Sequence, residues 1–146
     1  MKFSTRVRYG IRALVEIGRR GPGRPVLLKD ISVQQRVSFK YLDHIITRLR
    51  SHGIVVKTTA KKGGYLLAKS PEEITLYEVI AALDGVDLLD CLASREVCEY
   101  SETCRMRLVW RAFQKDLILA MEKTTLKDFI VENRKTVVSE EYLYHI

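Results

Sequence analysis

Residues 28 to 53 read LKDISVQQRVSFKYLDHIITRLRSHG, and the punctuation of this stretch decides the fold. Leu28 to Gln35 has the length of a short helix, Arg36-Val37 forms a tight turn, and Ser38 stands where a hydroxyl caps the next helix, Phe39 to Ser51. Gly53 follows where a left-handed residue closes a helix. That spacing is a helix-turn-helix. In the second helix Tyr41 or Leu42, Ile45, Ile46 and Leu49 recur at helical intervals as a buried stripe, leaving Lys40, Asp43, His44, Thr47 and Arg48 on other faces. An ordinary helical hairpin shows the same pattern, so its surroundings must separate the two.

Charge does so. Residues 1 to 70 hold 16 Lys or Arg against 3 Asp or Glu, a net of +13, while residues 71 to 146 hold 9 against 15, a net of −6. A basic half joined to an acidic half is the footprint of nucleic-acid binding confined to the first half. The second helix then becomes a recognition helix, with Ser38, Lys40, Tyr41, Asp43, His44 and Arg48 as candidate DNA contacts. Downstream, residues 54 to 59 and 65 to 69 alternate weakly as two strands, and Ala60-Lys61-Lys62-Gly63-Gly64 joins them. Such a hairpin is a β-wing whose Lys61 and Lys62 can reach phosphates or the minor groove. A nucleotide cradle is disfavoured, because neither Walker spacing nor a strand running straight into a helix is present. Upstream, Ser4 can cap a helix with Val7, Ile11, Leu14, Val15 and Ile17 on one stripe, ended by the Gly- and Pro-rich residues 18 to 25. Its Arg6, Arg8, Arg12 and Arg19 either meet phosphates or are solvated.

Past the wing, Thr75-Leu76-Tyr77-Glu78 is a capping-box signature opening a helix that Asp84-Gly85 stops. Cys91, Cys98 and Cys104 follow, with six residues between the first pair and five between the second. Three clustered thiols cannot form an even set of disulfides, and they point to one shared ligand, a metal or an iron-sulfur cluster. Zinc through the same thiols is the simpler alternative. Residues 102 to 123 form one long helix with Met106, Val109, Trp110, Phe113, Leu117, Ala120 and Met121 at three- and four-residue steps. Leu108, Ala112, Ile118 and Leu119 widen this stripe beyond what a lone surface helix needs, which predicts a two-fold homodimer built on it; the alternative is that it caps the small N-terminal core. A short helix over residues 126 to 132 and an extended or disordered end over 137 to 146 complete the chain.

The fold class read from this is mainly α with a small β-wing, a winged helix-turn-helix plus a long dimerisation helix. The units are 1–85 for DNA binding, 86–105 for the cysteine loop, 102–135 for dimerisation and 136–146 for a flexible tail. The apolar runs fall far short of the roughly 20 residues of a membrane helix, and no signal segment opens the chain, so no membrane association and a cytoplasmic location are expected. His44, His52 and His145 are scattered, and no Ser/His/Asp or paired-acid pattern stands out, so an enzyme is not expected.

Ser4 with Tyr9-Gly10, residues 28 to 32, Ser38 with Tyr41-Leu42, Arg48-Leu49-Arg50, Gly53, Gly63-Gly64-Tyr65-Leu66-Leu67 and Glu78-Val79-Ile80 together resemble a known family. It is the bacterial winged-helix repressors typified by the iron-sulfur regulator IscR, with the nitric-oxide sensor NsrR and the cysteine-metabolism repressor CymR as relatives. The resemblance implies a homodimeric repressor that reads double-stranded palindromic operator DNA, with cluster state setting affinity or site choice. Cys91, Cys98 and Cys104 resemble the thiolate ligands of the cluster-bearing members, and Trp110 falls where that subgroup has a tryptophan. The implied cofactor is an iron-sulfur cluster, 2Fe–2S ahead of 4Fe–4S, in a sensor of cluster, redox or nitric-oxide status.

The chain departs from that pattern at several positions. Arg107 stands where IscR has a histidine ligand, and a guanidinium offers donors but no lone pair for iron. The fourth ligand is therefore unassigned among Asp90, Ser94, Glu99, Ser101, Glu102 and a small exogenous donor, while Arg8 stands where NsrR-like relatives supply an acid. Thr59 occupies the position of a minor-groove arginine, and Asp43 keeps an acid linked in the family to operator selectivity. Glu141-Tyr142-Leu143-Tyr144-His145-Ile146 resembles the CymR terminus instead. That likeness implies an alternative function, a cysteine-metabolism repressor whose Tyr144 and Ile146 are captured by cysteine synthase, a terminal-carboxylate mode of binding.

Overall fold

The computed structural model describes residues 3–59 and 63–130. Its elements run α1 (Thr5–Arg19), α2 (Leu28–Gln35), α3 (Phe39–Ser51), β1 (Val55–Lys57), β2 (Tyr65–Leu67), α4 (Leu76–Leu83), α5 (Asp90–Ala93), α6 (Arg105–Lys123) and α7 (Leu126–Ile130). The expected winged helix-turn-helix is present, and the hydroxyls read from the sequence perform the capping. Ser4 Oγ accepts from Val7 N at 3.2 Å and Ser38 Oγ from Tyr41 N at 3.3 Å. Thr75 Oγ1 accepts from Glu78 N at 3.1 Å while Glu78 Oε2 accepts from Thr75 N at 3.1 Å, so two otherwise orphaned donors at the start of α4 are satisfied reciprocally. Between α2 and α3 the turn is made by Arg36, which takes φ 53° and donates its N–H to Ser32 O and Val33 O. A left-handed arginine is unusual, and it is what lets α3 leave α2 within so few residues.

The wing pairs Val55 with Leu67, Val56 with Leu66 and Lys57 with Tyr65 in antiparallel register. Its strands are shorter than expected, and beyond them the pairing continues only as single hydrogen bonds, from Thr58 N to Gly64 O at 2.9 Å and from Ala68 N to Ile54 O at 3.0 Å. Val26, ahead of α2, adds an unexpected bridge to the other side of β2: Val26 and Tyr65 exchange two backbone hydrogen bonds of 2.9 and 3.0 Å. Gly64 makes this possible, since it takes φ 118° and a Cβ there would meet Pro25 Cβ at 2.9 Å and Val26 O at 3.1 Å. The wing tip with Lys61 and Lys62, and the tail with Tyr144 and Ile146, lie outside the described residues.

One core joins these elements. Leu14, Ile31, Leu42, Ile45, Ile46, Leu49, Val55 and Ile74 are fully enclosed, and Val79, Ile80 and Leu83 of α4 close the far side. Gly10 lets α1 cross tightly here, because a Cβ would meet Leu83 Cδ1 at 2.5 Å. The far end of α6 is fastened to the same core through Met121 and Leu126. Leu76 N bonds Thr124 O and Leu126 N bonds Ile74 O, each at 2.8 Å.

The near end of α6 differs from expectation. The helix starts at Arg105 rather than residue 102, because Ser101 N and Thr103 N close turns on Cys98 O and Tyr100 O, at 3.0 and 3.1 Å. The first cysteine sits on an unexpected single turn, α5. Among the described residues no helix is long and apolar enough to cross a membrane.

Candidate nucleic-acid interface and cysteine hollow

On α3 the buried stripe resolves to Leu42, Ile45, Ile46 and Leu49, leaving Ser38, Phe39, Lys40, Tyr41, His44 and Thr47 exposed and Asp43 half-buried. Tyr41 packs edge-on against Tyr9 of α1 with ring centroids 6.2 Å apart, and Arg12 stacks over Tyr9 at 5.5 Å. This chain of cation and rings braces the start of α3 against α1. Arg48 is half-buried and donates Nη1 to Leu83 O at 2.9 Å, tying α3 to the last turn of α4. Thr59 is exposed at the end of the described wing strand.

An ion pair ties the end of the wing to the body, with Lys69 Nζ 2.8 Å from Glu78 Oε1 of α4, and a second ties α1 to the end of α4, with Arg6 Nε 3.0 Å from Asp84 Oδ1. Burial pushes the Glu78 carboxyl up, but the hydrogen bonds from Lys69 and the Thr75 backbone outweigh it and hold the group below the usual carboxylate range. The same bond raises Lys69.

The three cysteines come together on one wall. Cys91 lies on α5, Cys104 is the N-cap residue of α6, and Cys98 lies in the turns between them; all three are free thiols, half-buried. With Leu89, Ser101, Met106, Arg107 and Trp110 they line a hollow of about 110 Å³. Of the five oxygen donors the sequence offers as a fourth ligand, only Ser101 is on this wall, and its hydroxyl donates to Arg95 O at 2.7 Å. Among the described residues, no three His, Cys, Asp or Glu side chains already stand close enough together to hold a metal ion.

Arg107 is the unexpected member. It is only 8% exposed, and its Nε donates to Cys91 O at 2.8 Å, so α6 grips α5 through the backbone of a candidate ligand. Gln114 adds a second tie, accepting from Leu88 N at 2.9 Å and donating to Asp87 Oδ1 at 3.1 Å. Beside the hollow, Met106, Leu108, Val109 and Phe113 project outward, with Val109 69% exposed. The expected α6 stripe therefore splits, since only Leu117 and Met121 pack on the core. Sequence reasoning missed Arg107 as a brace and Phe39 as an exposed ring. An aromatic directly after a capping serine was the one signal available for the latter.

Known proteins fall into line with this geometry. Residues 3–132 match the family model Rrf2, described as an iron-dependent transcriptional regulator. Protein rrf2 of Nitratidesulfovibrio vulgaris is 34% identical over 131 residues, covering 89% of this chain and 87% of its own length. The HTH-type transcriptional regulator IscR of Pectobacterium carotovorum is 33% identical over 138 residues, covering 94% of this chain and 83% of its own. Among solved structures, CymR, the global cysteine regulator of B. subtilis, superposes with a TM-score of 0.70 at 27% identity, covering 89% of this chain and 96% of its own. T. potens IscR does so with a TM-score of 0.69 at 27% identity, covering 99% and 97%.

Proposed function

This chain belongs to the Rrf2 family of DNA-binding transcriptional regulators, whose matched members are regulators rather than enzymes, and from that premise we propose that it is a homodimeric repressor carrying an iron-sulfur cluster. The observation that carries the cluster is the convergence of Cys91, Cys98 and Cys104 on one hollow walled by Leu89, Met106 and Trp110. Thiolates suit the soft iron of such clusters, and an apolar wall limits solvent access. These three residues would hold it, 2Fe–2S ahead of 4Fe–4S, and the three thiols must draw together to do so. The fourth donor is Ser101 or a small exogenous ligand, since Arg107 has no lone pair to give. When bound, the cluster supplies a centre sensitive to redox state or nitric oxide.

The chain's own residues turn occupancy into a signal. Drawing Cys91 and Cys104 together moves α5, which Arg107 already grips, against the first turn of α6. The outward apolar face that continues from that turn, Met106, Val109 and Phe113, is the proposed contact with a second copy. A shift there changes the spacing of two recognition helices and so the fit to a palindromic operator. Residues 1–85 read the DNA through Ser38, Lys40, Tyr41, Asp43 and His44, with Arg48 bracing α3, and with Thr59, Lys61 and Lys62 of the wing toward the backbone or minor groove.

Anaerobic purification followed by absorption, iron and sulfide analysis tests this. The expected result is a coloured protein with stoichiometric sulfide that each single Cys→Ser change bleaches, with quenching of Trp110 fluorescence on loading. A colourless, sulfide-free protein holding stoichiometric zinc would overturn it. The likeness to CymR favours a second reading, in which cysteine synthase captures Tyr144 and Ile146. Deleting Ile146 should then abolish co-purification with that enzyme and leave operator binding intact.

A further inference from the structure

We propose that Phe39 is a specificity-determining residue that sets its ring against a thymine methyl group in the major groove. This inference rests on the DNA-binding reading above and adds a base preference to it. Phe39 opens α3 immediately after the capping Ser38 and is 54% exposed, although Leu42, Ile45, Ile46 and Leu49 of the same helix are fully enclosed. Side chains on a helix lean toward its N-terminus, so the ring of the first residue extends past the end of α3 instead of down onto the core. Tyr41 does not cover it, being held edge-on against Tyr9.

A large exposed ring at the tip of a recognition helix needs an apolar partner. The basic half around it, 16 Lys or Arg against 3 acids over residues 1 to 70, selects a polyanion as that partner rather than an apolar protein surface. Duplex DNA displays one apolar group on its major-groove edges, the 5-methyl of thymine, and aromatic rings are among its known contacts. Asp43 lies one helical turn after Phe39, where its carboxylate can accept from a cytosine amino group, and exposed Lys40 follows Phe39 in the chain. Phe39, Lys40 and Asp43 thus present an apolar, a cationic and an anionic group to successive base pairs.

The full chain, purified without oxygen, would be used to select binding sites from a random duplex pool. The enriched site would then be remade with deoxyuracil replacing one thymine at a time, a change that removes only the 5-methyl. At one position in each half-site this should weaken the wild-type protein by roughly three- to tenfold. Phe39→Ala should bind the thymine and uracil duplexes within about twofold of each other, and Phe39→Leu should keep part of the preference. An unchanged thymine preference in Phe39→Ala, or no uracil effect at any position in the wild type, would overturn the proposal while leaving DNA binding in place. A pool that enriches no sequence would instead bring down the DNA-binding reading, and this proposal with it.

Discussion

Helices α3 and α6 carry apolar residues at the same three- and four-residue steps, yet the fold treats them oppositely. On α3 the stripe Leu42, Ile45, Ile46 and Leu49 is fully enclosed by α1, α2 and α4. On α6 only Leu117 and Met121 reach the core, while Met106, 67% exposed, and Val109, 69% exposed, face outward. Periodicity states that a helix has an apolar face; it does not state what covers that face. The outward stripe of α6 exceeds what a lone helix on a small domain needs, and it sits beside the cysteine hollow.

The sharpest test substitutes one residue on each stripe. Ile45→Ala should cost about 2–5 kcal/mol in urea unfolding, from lost burial plus the cavity left behind. Phe113→Ala should cost less than about 0.5 kcal/mol in the isolated protomer but shift sedimentation toward monomer at low concentration. Equal, concentration-independent losses at the two sites would erase the contrast between the helices. Gly64→Ala comes next, at about 1–3 kcal/mol, because it forces a left-handed alanine against Pro25 and Val26 in the winged half. Retained stability there would mean the Val26 bridge to the wing does not matter. Thr75→Ala should cost about 1 kcal/mol by removing one arm of the capping box, read as a lower thermal midpoint without loss of α6 contacts.

The smallest effect is a pH dependence centred on the carboxylates at and just before α4. Glu78 is held below its ordinary carboxylate value, so its contribution is complete above about pH 4.3 and fades as pH falls through the lower folded value. Glu72 and Glu73 shift in the same direction, so Glu78→Gln should lessen the acid-induced fall in stability rather than remove it. An acid limb identical to wild type would mean the bond to Lys69 adds nothing in solution.

Much of the winged half was legible in advance because its signals are local. Ser38 and Gly53 bracket α3, and Thr75 with Glu78 opens α4, through hydrogen bonds that span three or four residues. The bridge at Val26 was not legible, because it joins residues far apart in the chain and depends on Gly64 lying against Pro25. At the candidate site the cysteines were legible as a set, from their spacing. Their common hollow, the one-turn α5 and the part played by Arg107 were not. Arg107 reads as a charge on a surface helix, and only the path of the chain brings Cys91 O within 2.8 Å of its Nε.

The sequence by itself determined the element order and the caps, the basic and acidic halves, and the candidate residues for DNA and cluster binding, because propensity, periodicity and side-chain chemistry act over short distances. Tertiary structure alone decided which apolar stripe became core and which remained open. It also decided that Arg48 and Arg107 would be braces inside the protein, and that Phe39 would stand out at the tip of α3. The reason is geometric: the core ends where its enclosing helices end, and no local pattern records where that edge falls.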